Sequence, residues 1–425
     1  MTAEVVILNK GAVALAADST VTIGRGGKTY NSVNKLFSLS KYEPVGAMIF
    51  GNADFIDVPW ETLIKEYRRK LGTSSFDTVA DYVQGFVEFL EEHKETFFED
   101  RHKFVVYYRA KVLFDEIKSA IDERVRQQTE ANGTVSEAEI REISDAVVTT
   151  FEGYELPPAQ CLPEKFIESL ELEHDAEFQE ARNHSFDKIP LSDGALLRLK
   201  HLAAKSISHG DYTRQSGLIF AGFGKKQVFP EVVTITPSVI ALGKLIFRQE
   251  TSQSYKVSLN NLATLVPFAQ RDVVWTFLNG IDPSLSTLIE TTISRLFEEY
   301  PRVAVDAIEG LSGDAKEAAI QRIKKETESL KSNLFNSMRD YKKKEHLDPL
   351  LQVIAVLPKD ELAAMAEALV NLTSVKRKMS LRTETVGGPI DVAVISKGDG
   401  FVWISRKHYF RPELNPLFFK NYLER

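Results

Sequence analysis

Four residues near the start of the chain have the types needed to hydrolyse an amide bond. Thr2 follows Met1, and an initiator Met is cut away only ahead of a small residue, a condition Thr meets. Its removal leaves a hydroxyl and a free α-amine on one residue. An α-amine titrates near ~8, so it can be neutral near physiological pH and accept the hydroxyl proton, directly or through one water. Asp18 stands sixteen residues further on and ends the run "AVALAAD". Lys35 opens "KLFSLS". An ammonium there, balanced by Asp18, lowers the pKa of a nearby amine and favours the free base. Gly51 closes "GAMIFG". Without a Cβ, its backbone can come close to a substrate, and its N–H can stabilise an oxyanion.

Such an amine works only if the terminus is held. "AEVVILN" and "AVALAA" are short apolar β runs on either side of Lys10-Gly11, a turn signal. A hairpin of residues 3–9 and 11–17 brings Asp18 back beside Thr2. "STVTI" alternates, "GRGGK" is a loop, and "NKLFSLS" and "GAMIFG" read as two strands across "KYEPV". Trp60, Leu63, Ile64 and Tyr67 fall at helical spacing within 58–71. The stretch 76–132 reads as nearly all helix, with Val79, Tyr82, Val83, Phe86, Phe89 and Leu90 on one stripe. Ser136 with Glu139 is a capping box for a helix to about 151. "YELPPAQCLP" is a breaker, 163–188 is acidic and weakly amphipathic, and 192–209 is a helix. Strand character returns in "SGLIFAGFG" and "KQVFPEVVTIT", joined at Gly224 to Lys226, and "SVIALGKLIFRQ" and "QSYKVSL" add to it. Helices follow over 269–299, interrupted near Gly280 to Pro283, then over 313–344 and 347–378. "PIDVAVISKGDGFVWISR" gives two closing strands, and the tail "HYFRPELNPLFFKNYLER" reads as irregular. Runs of strands alternating with runs of helices predict an α+β fold of stacked sheets and helices, not a doubly wound sheet.

Composition narrows the function classes. The chain has 425 residues and a formal net charge of −7, which argues against a nucleic-acid partner. Its basic clusters, at Lys324-Lys325, Lys342 to Lys344 and Lys376 to Lys378, sit beside acidic residues among helix formers and read as solvated faces. "GRGGK" and "GFGKK" lack the full GxxxxGK[ST] pattern and read as hairpin turns. The single cysteine, Cys161, excludes an intrachain disulfide and a Cys-based zinc site. The eight histidines form no HxxxH or HExxH pair, so neither a metal nor a cofactor is expected. There is no secretory n- and h-region and no run of eighteen apolar residues, so a cytoplasmic protein without a membrane span is expected.

Thr2, "AVALAADSTVTIG", "NKLFSL" and "GAMIFGNAD" together resemble the opening of proteasome β subunits and their simpler bacterial relatives, which are N-terminal nucleophile hydrolases. "PWETLIKEYRRKLG" resembles that family's first helix, "SGLIFAGFGKKQVFPEVVTIT" its central hairpin and "GGPIDVAVISKGDG" its closing strands. The match covers about 75 N-terminal residues and short patches near 216–245, 265–280 and 384–405. The resemblance implies a four-layer αββα sandwich with Thr2, Asp18, Lys35 and Gly51 as the catalytic centre. Residues 1–99, 211–284 and 381–425 would form the core, with helical additions at 100–210 and 285–380. It also implies a peptide or protein substrate, a homo-oligomeric ring and an ATP-dependent unfoldase as partner. Two motifs depart from the family. Its Ser-Gly before the third helix is replaced by "TLVPFAQRDVVW". Its closing Asp and Ser are replaced by "TETVGGP", which offers Glu384 as support and Gly387 where Ser would stand. A catalytically inactive proteasome-like scaffold and an amidohydrolase acting on a small amide are the alternative expectations.

Overall fold

The turn signal at Lys10-Gly11 folds Ala3–Asn9 back on Ala12–Ala17 as an antiparallel hairpin, with Glu4 opposite Ala17. Asn9 makes the turn: its Oδ1 accepts from the N–H of Gly11 at 2.9 Å and of Ala12 at 3.2 Å. The computed structural model describes residues 3–23, 28–99, 101–154, 162–187, 189–210, 216–308, 310–379 and 386–424. Thr2, Cys161, Glu384, most of the "GRGGK" loop and most of the Pro-rich breaker lie outside the described residues.

The protein is α+β, 56% helical and 19% strand, with several antiparallel sheets. The chain divides into two units. The first takes Met1–Val33, Val257–Val394 and Trp403–Arg425. Its hairpin lies in a five-stranded sheet in the order Ala263–Ala269, Ala3–Asn9, Ala12–Ala17, Asp391–Ser396, Gly400–Ser405. Helices Asp272–Asn279, Asp348–Ile354 and Lys359–Lys378 cover one face of it. Val5, Ile7, Ala14 and Ala16 pack there against Val274, Ile354, Leu362 and Leu369. Asn9 also donates from Nδ2 to the carbonyls of Ile354 and Leu357, which fixes the helices to the turn.

The second unit takes Asn34–Lys256 and Ile395–Val402. Its main sheet runs in the order Lys244–Gln249, Glu231–Ala241, Ser216–Gly222, Val45–Gly51, Leu36–Ser38, and Tyr255–Lys256 pairs alongside Glu231–Ala241. Helices Trp60–Leu71 and Val79–Glu92 bury the stripes read from the sequence. Trp60, Ile64, Tyr67, Tyr82 and Phe86 pack on Phe37, Ile49 and Phe220. The added helices have a core of their own, in which Val106, Phe114 and Ile117 meet Phe178, Leu199 and Ala203, joined by Val239 and Ile246 of the sheet. The capping box of Ser136 and Glu139 is present and opens the helix Glu137–Glu152.

One strand goes unread in the sequence, and three local readings are corrected. Ala263–Ala269 is a strand, although Pro267 hides it: a Pro is tolerated on an edge strand, and this strand is the sheet's edge. The strand expected from Lys226 begins only at Glu231, because 224–230 form a turn held by Gln227, whose Oε1 accepts from the N–H groups of Gly224 and Val79. The helix expected over 347–378 breaks ahead of Pro358 into Asp348–Ile354 and Lys359–Lys378. The tail expected to be irregular contains the helix Pro416–Glu424. Among the described residues no helix is long and apolar enough to cross a membrane.

Candidate active site

Asp18 follows directly on the strand Ala12–Ala17, and the hairpin carries it back to the first described residue. Its backbone N–H donates to the carbonyl of Ala3 at 3.1 Å, and its Oδ1 accepts from the N–H of Ala3 at 3.0 Å. Oδ2 accepts from the N–H of Thr20 at 3.2 Å and of Gly387 at 3.0 Å. The side chain is 1% exposed. A buried carboxylate with three N–H donors is fixed in position, and here one of the three belongs to the residue after Thr2.

Neighbouring residues brace this corner of the first unit. Ser19 donates from its N–H to the carbonyl of Gly387 and from its hydroxyl to that of Pro389. Thr20 donates from Oγ1 to Asn31 Oδ1 at 2.9 Å. Gly388 has a φ of 73°, and a Cβ there would lie 2.9 Å from that of Asn31. The position where the resemblance expects a Ser is therefore used through its backbone: the Gly387 N–H reaches Asp18.

Lys35 and Gly51 belong to the second unit. The carbonyl of Lys35 accepts from the N–H of Ile49 at 2.9 Å, which continues the pairing of Leu36 with Met48 and places Lys35 across from the strand that ends at Gly51. Lys35 is 3% exposed. Gly51 pairs with Ser216 and turns the chain at a φ of 81°, a conformation that favours glycine. Beside it, Asn52, Phe55, Tyr108, Arg109 and Ser216 line a cavity of about 300 Å³. Ile56 and Asp57, on its rim, hold φ values of 49° and 63°. A β-branched residue at positive φ is a genuine outlier of the kind that clusters at functional sites.

The structure thus joins Asp18 to the residue beside Thr2 within one unit and Lys35 to the strand of Gly51 within the other. Thr2 and Glu384 lie outside the described residues. No family model matches the chain, and no curated protein does. Sequence reading missed two buried polar residues at the same end of the first sheet. Glu4 is 1% exposed, and Gln270 is 5% exposed and follows Ala269, the strand partner of Ala3. A glutamate inside "AEVVILN" was the available signal. Gln270 had none, because its strand was not recognised. Among the described residues no group of three or more His, Cys, Asp or Glu could hold a metal ion.

Proposed function

We propose that the protein is a proteasome-like threonine hydrolase of the N-terminal nucleophile type, built as a four-layer αββα sandwich with helical additions. The observation that carries this is the Asp18 carboxylate, buried and bonded to the N–H of Ala3 at 3.0 Å. A buried charge bonded to the backbone next to Thr2 supports the held terminus that this chemistry requires. The sandwich is supported by the second face of each sheet. Val6, Leu8 and Leu15 in the first sheet, and Met48, Ile219 and Val232 in the second, alternate with the residues under the helices and are buried as well.

In this reading, loss of Met1 frees the Thr2 amine. Thr2 Oγ attacks the substrate carbonyl while the amine takes its proton, and Lys35, balanced by Asp18, keeps that amine unprotonated. The Gly51 N–H donates to the oxyanion. The amine returns the proton to the leaving nitrogen, the C–N bond breaks and an ester remains on Thr2. Water, deprotonated by the same amine, then releases the acid and restores the hydroxyl. The substrate is a peptide, with one side chain in the cavity beside Gly51, and the particle is a homo-oligomeric ring.

A second reading is favoured by one observation. Phe104, Tyr108 and Arg109, from the added helix Arg101–Asn132, line that same cavity. Such a wall suits a small amide better than an extended chain. A series of fluorogenic amides of one to eight residues separates the two. A kcat/KM that rises with length, and is lost in Thr2→Ala, supports the peptidase. A fall beyond two residues supports the small-amide enzyme. Activity that survives Thr2→Ala removes both.

A further inference from the structure

Helices Pro283–Asp306 and Gly313–Lys342 of the first unit form an antiparallel hairpin tied at both ends. Lys342 Nζ donates to Ser286 Oγ at 2.6 Å, and Lys316 Nζ donates to Asp306 Oδ1 at 3.4 Å. Over helices of 24 and 30 residues, the buried positions are Pro301, Val305 and Ile320. That is a thin core for elements of such length, whose stability comes mainly from an apolar face packed against something.

Each helix also carries a second apolar row. On the first, Leu285, Leu288, Leu296, Tyr300 and Val303 are 48–65% exposed. On the second, Leu330, Leu334 and Tyr341 are 40–63% exposed. With 3.6 residues per turn, the first row centres roughly 75° around its helix from Ile289, Ile293 and Phe297, the less exposed side. The second centres roughly 35° from Ile320, Ile323 and Thr327, and the antiparallel arrangement turns both rows toward one side of the hairpin.

We propose that a second copy of this chain covers this face. The two hairpins pack about a two-fold axis along their length to make a four-helix bundle. The area fits: eight such side chains at roughly 100 Å² each offer about 800 Å², the share of one partner in a standard stable interface and more than a typical monomer leaves exposed. The charges fit as well. This axis lays the first helix of one copy against the second helix of the other, and the ties at the hairpin ends set the levels. Glu326 at the edge of the second row then falls between Arg295 and Arg302 at the edge of the first, and Leu330 falls level with Leu296. A two-fold across the hairpin would instead lay each first helix on its own counterpart and leave those arginines facing the same edge. Each patch meets its complement on the other copy, as a closed dimer requires. The inference stands without the hydrolase reading.

The test is the mass of the full chain in solution by light scattering at tens of micromolar. The wild type is expected as a dimer or an even multiple, and Leu288→Glu with Leu296→Glu is expected to halve that mass while far-UV circular dichroism is unchanged. Should that variant not fold, Arg302→Glu is read instead. It raises the dimer Kd at least tenfold, and adding Glu326→Arg to the same chain restores it. In a Cys161→Ser background, mixed Leu296→Cys and Leu330→Cys chains form a 296–330 disulfide on oxidation. A monomeric wild type, a mass unchanged in both the folded double variant and Arg302→Glu, or a 296–296 cross-link in place of 296–330 would each overturn the proposal.

Discussion

Both carboxylate oxygens of Asp18 accept from backbone N–H groups, and that makes it more costly to remove than its strand-end position suggests. Asp18→Ala leaves the donors of Ala3, Thr20 and Gly387 without this acceptor in a buried place, at about 1–3 kcal/mol each. Urea unfolding of Asp18→Ala should show a loss of about 3 kcal/mol or more, and a loss under about 1 kcal/mol would contradict this account of the corner. Gly51 makes a different demand. At a φ of 81°, Gly51→Ala strains the backbone by about 1–2 kcal/mol. If its N–H also serves the oxyanion, the strained backbone displaces that donor and kcat should fall, by at most about 10²–10³-fold as for a lost donor, with KM nearly unchanged. At this scale the sequence was informative where spacing was local: the turn at Lys10-Gly11 was enough to place Asp18 by Ala3. The Gly387 N–H was not legible, because it comes from the far end of the chain, and a backbone donor leaves no residue type to read.

The elements were legible where a stripe and a cap agreed, as in Val79–Glu92 and in Glu137–Glu152 with its Ser136–Glu139 box. They were not legible where proline sits in a strand. Pro267 lies on an edge strand, and Pro237 lies at a register shift in Glu231–Ala241, both places where a missing N–H is tolerated. The "GFGKK" turn shows what its glycines do. A Cβ on Gly224 would stand 2.3 Å from the Asp77 carbonyl oxygen, at the approach to the helix that starts at Val79. Gly224→Ala should therefore cost about 1–3 kcal/mol in thermal or urea unfolding through the shifts that overpacking forces. In the added helices, burial holds the His174 imidazole below its ordinary value, against the pull of Glu177 and Glu173 toward the charged form. The unfolded chain takes up that proton near pH ~6.5 and the folded chain only below it, so stability is full above that range and is lost as pH falls through it. Melting temperatures between pH 7.5 and 5.5 should drop less in His174→Phe than in the wild type, and equal slopes would remove His174 as a source of the acid sensitivity.

At the scale of the molecule, the first sheet assembles strands from the two ends and the middle of the chain: Ala3–Asn9, Ala263–Ala269 and Asp391–Ser396. Such pairings leave no local periodicity, which is why the alternation of strand and helix runs indicated the α+β class while the composition of each sheet stayed hidden. A hydrolase whose base is its own α-amine needs no bound ion for turnover. Dialysis against a chelator should leave the rate unchanged, and a loss restored by a divalent ion would assign the attacking water to a metal instead. The central claim is that Thr2 becomes the N-terminal residue and acts as the nucleophile. Intact mass spectrometry of the purified protein, before and after treatment with a peptide epoxyketone, tests both halves at once. The account predicts a mass lacking Met1 and the addition of one inhibitor, abolished in Thr2→Ala. Active protein that retains Met1, or a label that persists in Thr2→Ala, would contradict it.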